Sequence, residues 1–161
     1  MAKRLTLLFF LFFLSFLSFQ GLERTYAQYD KQQFFYRGQH LLFEGRYQQA
    51  IDNFNKLIQL DGTLHEAYFF RGIGKYNLGD FIGARSDFDK ALQIHPIYTL
   101  AYHYRAITYS RLGDYEKALE DLKEAIELRP GYNGLYFSRG VTYLLSQQFK
   151  LAEEDFNRFI R

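Results

Sequence analysis

Polar and apolar residues in this chain alternate with the period of a helix, in short paired stretches. Over residues 99–132, Tyr102, Ala106 and Tyr109 are spaced three and four apart, and so are Tyr115, Ala118, Leu119, Leu122, Ala125 and Ile126. Such spacing gathers apolar side chains on one face of an α-helix. Gly113-Asp114 separates the two stretches: glycine suits the left-handed residue that ends a helix, and aspartate can cap the next one. Pro130 closes the second stretch, because the residue before a proline avoids the helical region. The pattern predicts a helical hairpin.

The hairpin recurs with a period of 34, without a gap, in blocks starting at Lys31, His65, Thr99 and Asn133. The fourth residue of each block is aromatic: Phe34, Tyr68, Tyr102, Tyr136. The eighth is small: Gly38, Gly72, Ala106, Gly140. The seventeenth is Tyr47, Phe81, Tyr115 or Phe149, the twentieth is always alanine, and the twenty-fourth is Phe54, Phe88, Leu122 or Phe156. Small residues at the eighth and twentieth positions let two helix axes approach where they cross. The pattern predicts eight helices, at about 31–44, 47–60, 65–78, 81–94, 99–112, 115–128, 133–146 and 149–160.

At these residues the chain resembles the tetratricopeptide repeat family. The third block is nearest to that family's pattern, with Tyr102, Ala106, Tyr109, Gly113, Ala118, Leu122, Ala125 and Pro130. Departures are Gly62 in place of a closing proline, Lys75 where an aromatic is usual, and Gln147-Gln148 in place of Gly-Asp. The resemblance covers residues 31–161. It implies an all-α solenoid of four hairpins (31–64, 65–98, 99–132 and 133–161) wound into a right-handed superhelix. It also implies a protein or peptide partner held in a concave groove along the first helix of each hairpin.

With the fourth, eighth and eleventh positions packed inward, the second, fifth, ninth and twelfth form a groove stripe, bordered by the sixth and thirteenth. This register assigns the partner surface to Phe35, Tyr36, Gln39, Phe69, Phe70, Ile73, Tyr76, His103, Tyr104, Ile107, Arg111, Phe137 and Val141. Chaperone-binding members of the family clamp a C-terminal carboxylate with Lys, Asn and Arg. The corresponding places here hold Phe35, Gln39, Phe70, Leu100 and Tyr104, so an apolar segment or partner helix is expected instead. For Phe35, Phe69 and Phe137, packing between neighbouring repeats is the competing reading.

The seventh position is arginine in every block, and sixteen residues later come Asn53, Asp87, Asp121 and Asp155. The two positions face each other across a hairpin. Pairs Arg71–Asp87, Arg105–Asp121 and Arg139–Asp155 are therefore expected, with Arg37 bonding Asn53. An arginine ladder for an acidic ligand is the alternative.

Ahead of the repeats, Lys3 and Arg4 precede an apolar run from Leu5 to Phe19. This is the layout of a secretory signal, with small-residue cleavage after Ala27, so that 1–27 is leader and 28–161 the repeat domain. Retention of 5–22 as a membrane tether is the rival reading. Either places the protein in a periplasm or outer envelope, or anchored at an inner membrane. Lys3, Arg4, Arg24 and Glu23 account for the whole-chain charge of +2, so the repeats are neutral and lack the basic footprint of nucleic-acid binding. Without cysteine there is neither disulfide nor thiolate metal site.

His40, His65, His95 and His103 occupy unrelated repeat positions and form no ligand pair. No nucleophile elbow or phosphate-cradling loop occurs, so neither an enzyme nor a cofactor is expected. Gly72 and Gly74, each costing about 1 kcal/mol against alanine, are expected to loosen their helix. At the C-terminal helix, Phe156, Phe159 and Ile160 offer an apolar surface for self-association or partner docking.

Overall fold

The computed structural model describes residues 28–160; the expected leader or tether at 1–27 and the final Arg161 lie outside the described residues. The described residues form eight α-helices and no strand. Helix α1 covers 28–43. It is followed by α2 (Tyr47–Leu60), α3 (His65–Asn77), α4 (Phe81–Ile94), α5 (Thr99–Leu112), α6 (Tyr115–Leu128), α7 (Asn133–Leu145) and α8 (Phe149–Ile160). These are the expected helices with small shifts at their ends.

The turns follow from backbone sterics. Gly45, Gly79 and Gly113 take φ of 74°, 83° and 82°, the left-handed region that spares a Cβ clash only for glycine. The fourth turn has no glycine, and Gln147 is forced to φ 62° at a cost of about 1 kcal/mol. Asp80 and Asp114 cap α4 and α6 by accepting from the backbone N–H groups of Gly83 and Lys117.

Within each hairpin the helices meet at the eighth position. A Cβ built on Gly38, Gly72 or Gly140 would lie 2.7 Å from the ring of Phe54, Phe88 or Phe156 respectively. Between hairpins, a Cβ on Gly74 would lie 2.9 Å from Ile51 Cγ1. The expectation that Gly72 and Gly74 loosen their helix is therefore corrected. Both admit a close approach that a methyl group would block. Phe54, Phe88 and Leu122 are fully buried against these contacts and form the centres of successive cores.

Curvature is visible in which helices touch. Helix α3 reaches α5 and α5 reaches α7, whereas α2, α4, α6 and α8 do not touch one another. An inner layer of first helices and an outer layer of separated second helices bend the stack, with the first helices on the concave side.

The three expected Arg–Asp pairs are present as forked contacts. Arg71 Nε and Nη2 donate to Asp87 Oδ2 and Oδ1 at 2.9 and 2.6 Å. Arg105 does the same to Asp121 at 2.7 and 2.6 Å, and Arg139 to Asp155 at 2.7 Å twice. The guanidinium groups also lie over the flanking rings: Arg105 over Tyr102 and Tyr109, Arg139 over Tyr136 and Tyr143. The remaining arm reaches the preceding hairpin, where Arg71 Nη1 donates to Asn55 Oδ1 at 2.8 Å and Arg105 Nη1 to Asp89 Oδ1 at 2.7 Å. Burial works against the Arg105 charge, and the bonds to Asp121 and Asp89 outweigh it, holding the guanidinium protonated. The arginines at 71, 105 and 139 thus bind internal acceptors. The expected Arg37–Asn53 bond is not formed; the Asn53 amide N–H donates to the Gln49 carbonyl of its own helix.

Candidate functional site

Contacts assign the faces of each first helix. The seventh and eighth positions meet the second helix of the same hairpin, through the Arg–Asp pairs and the Gly–Phe approaches. At 100° per residue the opposite face carries the second, sixth, ninth and thirteenth positions. The third and tenth turn toward the preceding hairpin, where Ala67, Ala101, Leu135, Thr108 and Thr142 are buried. The fifth and twelfth turn toward the following one.

This shifts the expected register. Phe69 is 2% exposed and packs on Phe88, Tyr98 and Tyr104, so it supports the groove wall from behind. His103 is 8% exposed and bonds Ser138 Oγ of the next hairpin at 2.7 Å. Phe137 packs against Phe156 and Phe159 of α8. Phe69 and His103 are thus buried along the stack, whereas Phe137 remains 46% exposed beside its α8 contacts. Phe35 stacks likewise on Phe70, edge to face at 5.6 Å, but stays half-buried. Tyr76, at the twelfth position, meets the Phe81 ring at 5.3 Å, and the Arg111 guanidinium lies over that same ring at 5.2 Å.

The structure brings the remaining members together on the concave face. Tyr36, Phe70 and Tyr104 form one row and Ile73, Ile107 and Val141 a second, with Gln39 beside Ile73 in the first hairpin's share of that row. All are accessible to some degree, and Tyr36 is 65% exposed. Burial, then the neighbouring phenols of Tyr132 and Tyr76, raise the Tyr104 pKa, so its hydroxyl remains a neutral donor. The groove changes character along its length. Between α5 and α7 its wall is polar, with the His103–Ser138 bond and a Ser110–Thr142 hydroxyl contact at 3.1 Å.

Two features escaped the sequence reading. His65 and His95 stack with ring centroids 4.4 Å apart, and Tyr98 meets both edge-on. Burial pushes the His65 imidazole down, and burial pushes the Tyr98 phenol up to about 12. A pocket also opens at the first hairpin, between Lys31, Gln32, Phe35 and Tyr36 on one side and Leu64 and Glu66 on the other. Among the described residues no group of three His, Asp or Glu side chains is arranged to hold a metal ion, and no helix is long and apolar enough to cross a membrane.

Stacked helical hairpins, curved with their first helices inward, define the class: a hairpin-repeat solenoid with an open concave face. Residues 99–132 match the family described as Tetratricopeptide repeat, and the other three hairpins keep the same 34-residue frame. Solved structures share the fold. MamA 41-end from Desulfovibrio magneticus RS-1 aligns at 21% identity over 81% of this chain and 73% of its own, with a TM-score of 0.75. TTC0263, a thermophilic TPR protein in Thermus thermophilus, gives 24% identity over 81% and 73%, with a TM-score of 0.74. The second TPR domain of the human RPAP3 protein, solved in complex with the HSP70 peptide SGPTIEEVD, gives 21% identity over 72% of this chain and 97% of that domain, with a TM-score of 0.69. Comparison with curated protein sequences gives no match.

Proposed function

We propose that this chain is an exported scaffold that holds an apolar peptide or amphipathic helix of a partner protein in its concave groove. The observation that carries this reading is the double row of Tyr36, Phe70 and Tyr104 beside Ile73, Ile107 and Val141, left accessible on the inner face of a curved stack. Aromatic and aliphatic side chains fixed on packed helices present apolar contact area at little ordering cost. The peptide complex of the RPAP3 domain supports the idea that an array of this fold can seat a peptide. Binding on a preformed scaffold, not catalysis, is the mechanism. The decisive variant is Ile107→Arg, which places a charge on the groove floor. Partner capture from the native envelope, quantified by mass spectrometry against wild type, should be lost while the thermal midpoint holds. Undiminished capture would remove the groove from the mechanism.

Export rests on the residue pattern of 1–27. N-terminal sequencing of the protein from its native host should begin at Gln28. An intact leader would replace the exported form with a membrane-tethered assembly factor.

A further inference from the structure

The pocket at the first hairpin has a charge and a shape that the rest of the groove lacks. Two walls are the Phe35 and Tyr36 rings, set at 69° to each other with centroids 5.9 Å apart. Glu66 supplies the acidic wall; its side chain is 35% exposed, while its Oε2 is buried and makes no hydrogen bond.

The basic groups nearby are otherwise committed. Lys31 also lines the pocket, but its Nζ is bound to Asp61 Oδ2 at 2.9 Å. The Thr63 hydroxyl and then Lys31 hold the Asp61 carboxyl down at about 2, so that partner is charged throughout the physiological range. His65 Nδ1 lies 3.1 Å from Glu66 Oε2. Burial and the stacked His95 ring nevertheless keep that imidazole toward its neutral form, overriding the pull of Glu66. Tyr98, edge-on to His65, is a neutral phenol. The Glu66 charge thus stands without a cation of its own among the described residues.

An unneutralised carboxylate beside two crossed aromatic faces is the chemistry that recognises an organic cation. We infer that this pocket takes a lysine or arginine side chain of the partner, with its charged head on Glu66 and its stem along Phe35 and Tyr36. The groove therefore reads a basic residue at its first-hairpin end and apolar residues beyond it. The preference is opposite in sign to the acidic EEVD ending of the peptide in the RPAP3 complex. Such an ending would meet Glu66 as a like charge.

The inference rests on the groove reading for its partner, yet its chemistry can be tested alone. The full chain is titrated with Nα-acetyl-lysinamide and with its uncharged counterpart Nα-acetyl-norleucinamide, following the NMR signals of Phe35, Tyr36 and Leu64. The lysine probe should bind about tenfold more tightly, the span expected of a partly desolvated cation–aromatic site with a carboxylate. Glu66→Gln should make the two probes equal without moving the thermal midpoint. Tyr36→Leu, at an exposed position, should weaken the lysine probe while keeping its advantage. Equal binding of the two probes to wild type, no shift with either, or an unchanged preference in Glu66→Gln would overturn the pocket. Those results leave the Ile107→Arg test of the groove untouched, and failure of that test leaves the titration untouched.

Discussion

A single missing methyl group decides how close α3 and α4 can lie. Gly72→Ala should gain about 1 kcal/mol of helix propensity, yet its Cβ would sit 2.7 Å from Phe88 Cε1, and Phe88 is fully buried with nowhere to move. Overpacking wins, so a net loss of about 1–3 kcal/mol is expected by urea denaturation. Gly131→Ala is the control, since a Cβ there meets nothing within 4 Å and the variant should be neutral or slightly more stable. Asp121→Ala removes both bonds that hold Arg105 to its hairpin and leaves that arginine with the half-exposed Asp89. A loss of about 3 kcal/mol is expected, and unchanged thermal stability would mean that the fork adds nothing. The arginine positions and their partners were legible because charge recurs in step with the 34-residue frame. Asn53 breaks that step: its neutral amide lacks the carboxylate charge that draws the other arginines, and its N–H donates locally to the Gln49 carbonyl.

At the scale of elements, the joint between α5 and α7 is held by a group that must stay neutral. His103 bonds Ser138 through Nε2, its Nδ1 is buried without a partner, and the titratable groups beside it are the phenols of Tyr104 and Tyr132. Burial alone pushes this imidazole down to about 4. Protonation is then easier in the unfolded chain, near pH 6.5, than in the fold. The stability this neutral histidine contributes is complete above pH 6.5 and is lost progressively as pH falls toward 4, by about 3 kcal/mol in all. Urea midpoints measured from pH 7 to pH 4 should show that slope in wild type and a flatter line in His103→Gln, which keeps a donor for Ser138. Helix positions were read almost to the residue from periodicity, because apolar spacing and glycine turns act within a few residues. Groove membership was read less well. The fifth and sixth positions differ by only 100° of rotation, and which of them faces the groove depends on where the next hairpin docks. Neighbouring Phe69 and Phe70 show the difference, the first buried along the stack and the second left partly open. The His65–His95 stack was hidden for a related reason: its members sit at opposite ends of one block and meet only when the hairpin closes.

Across the whole molecule, stability in a stack is a sum of hairpins and of the contacts between neighbours, so the weakest joint sets where the array opens. The first two joints are crossed by guanidinium arms, Arg71 to Asn55 and Arg105 to Asp89. At the third joint the corresponding residue is Lys123, which cannot accept a bond from Arg139 and instead lies 3.9 Å from Glu127 on an exposed helix face. The fourth hairpin is also closed by the strained Gln147 turn. Opening should therefore begin there. Native-state hydrogen exchange should show lower protection in α7 and α8 than in α5 and α6. Lys123→Asp supplies the acceptor that the repeat frame places opposite Arg139 Nη1. Because such a pair is partly exposed, the gain should be no more than about 1 kcal/mol, confined to α7 and α8 in the exchange profile. A uniform change over all eight helices would show instead that the array opens as one unit and that its joints are not independent.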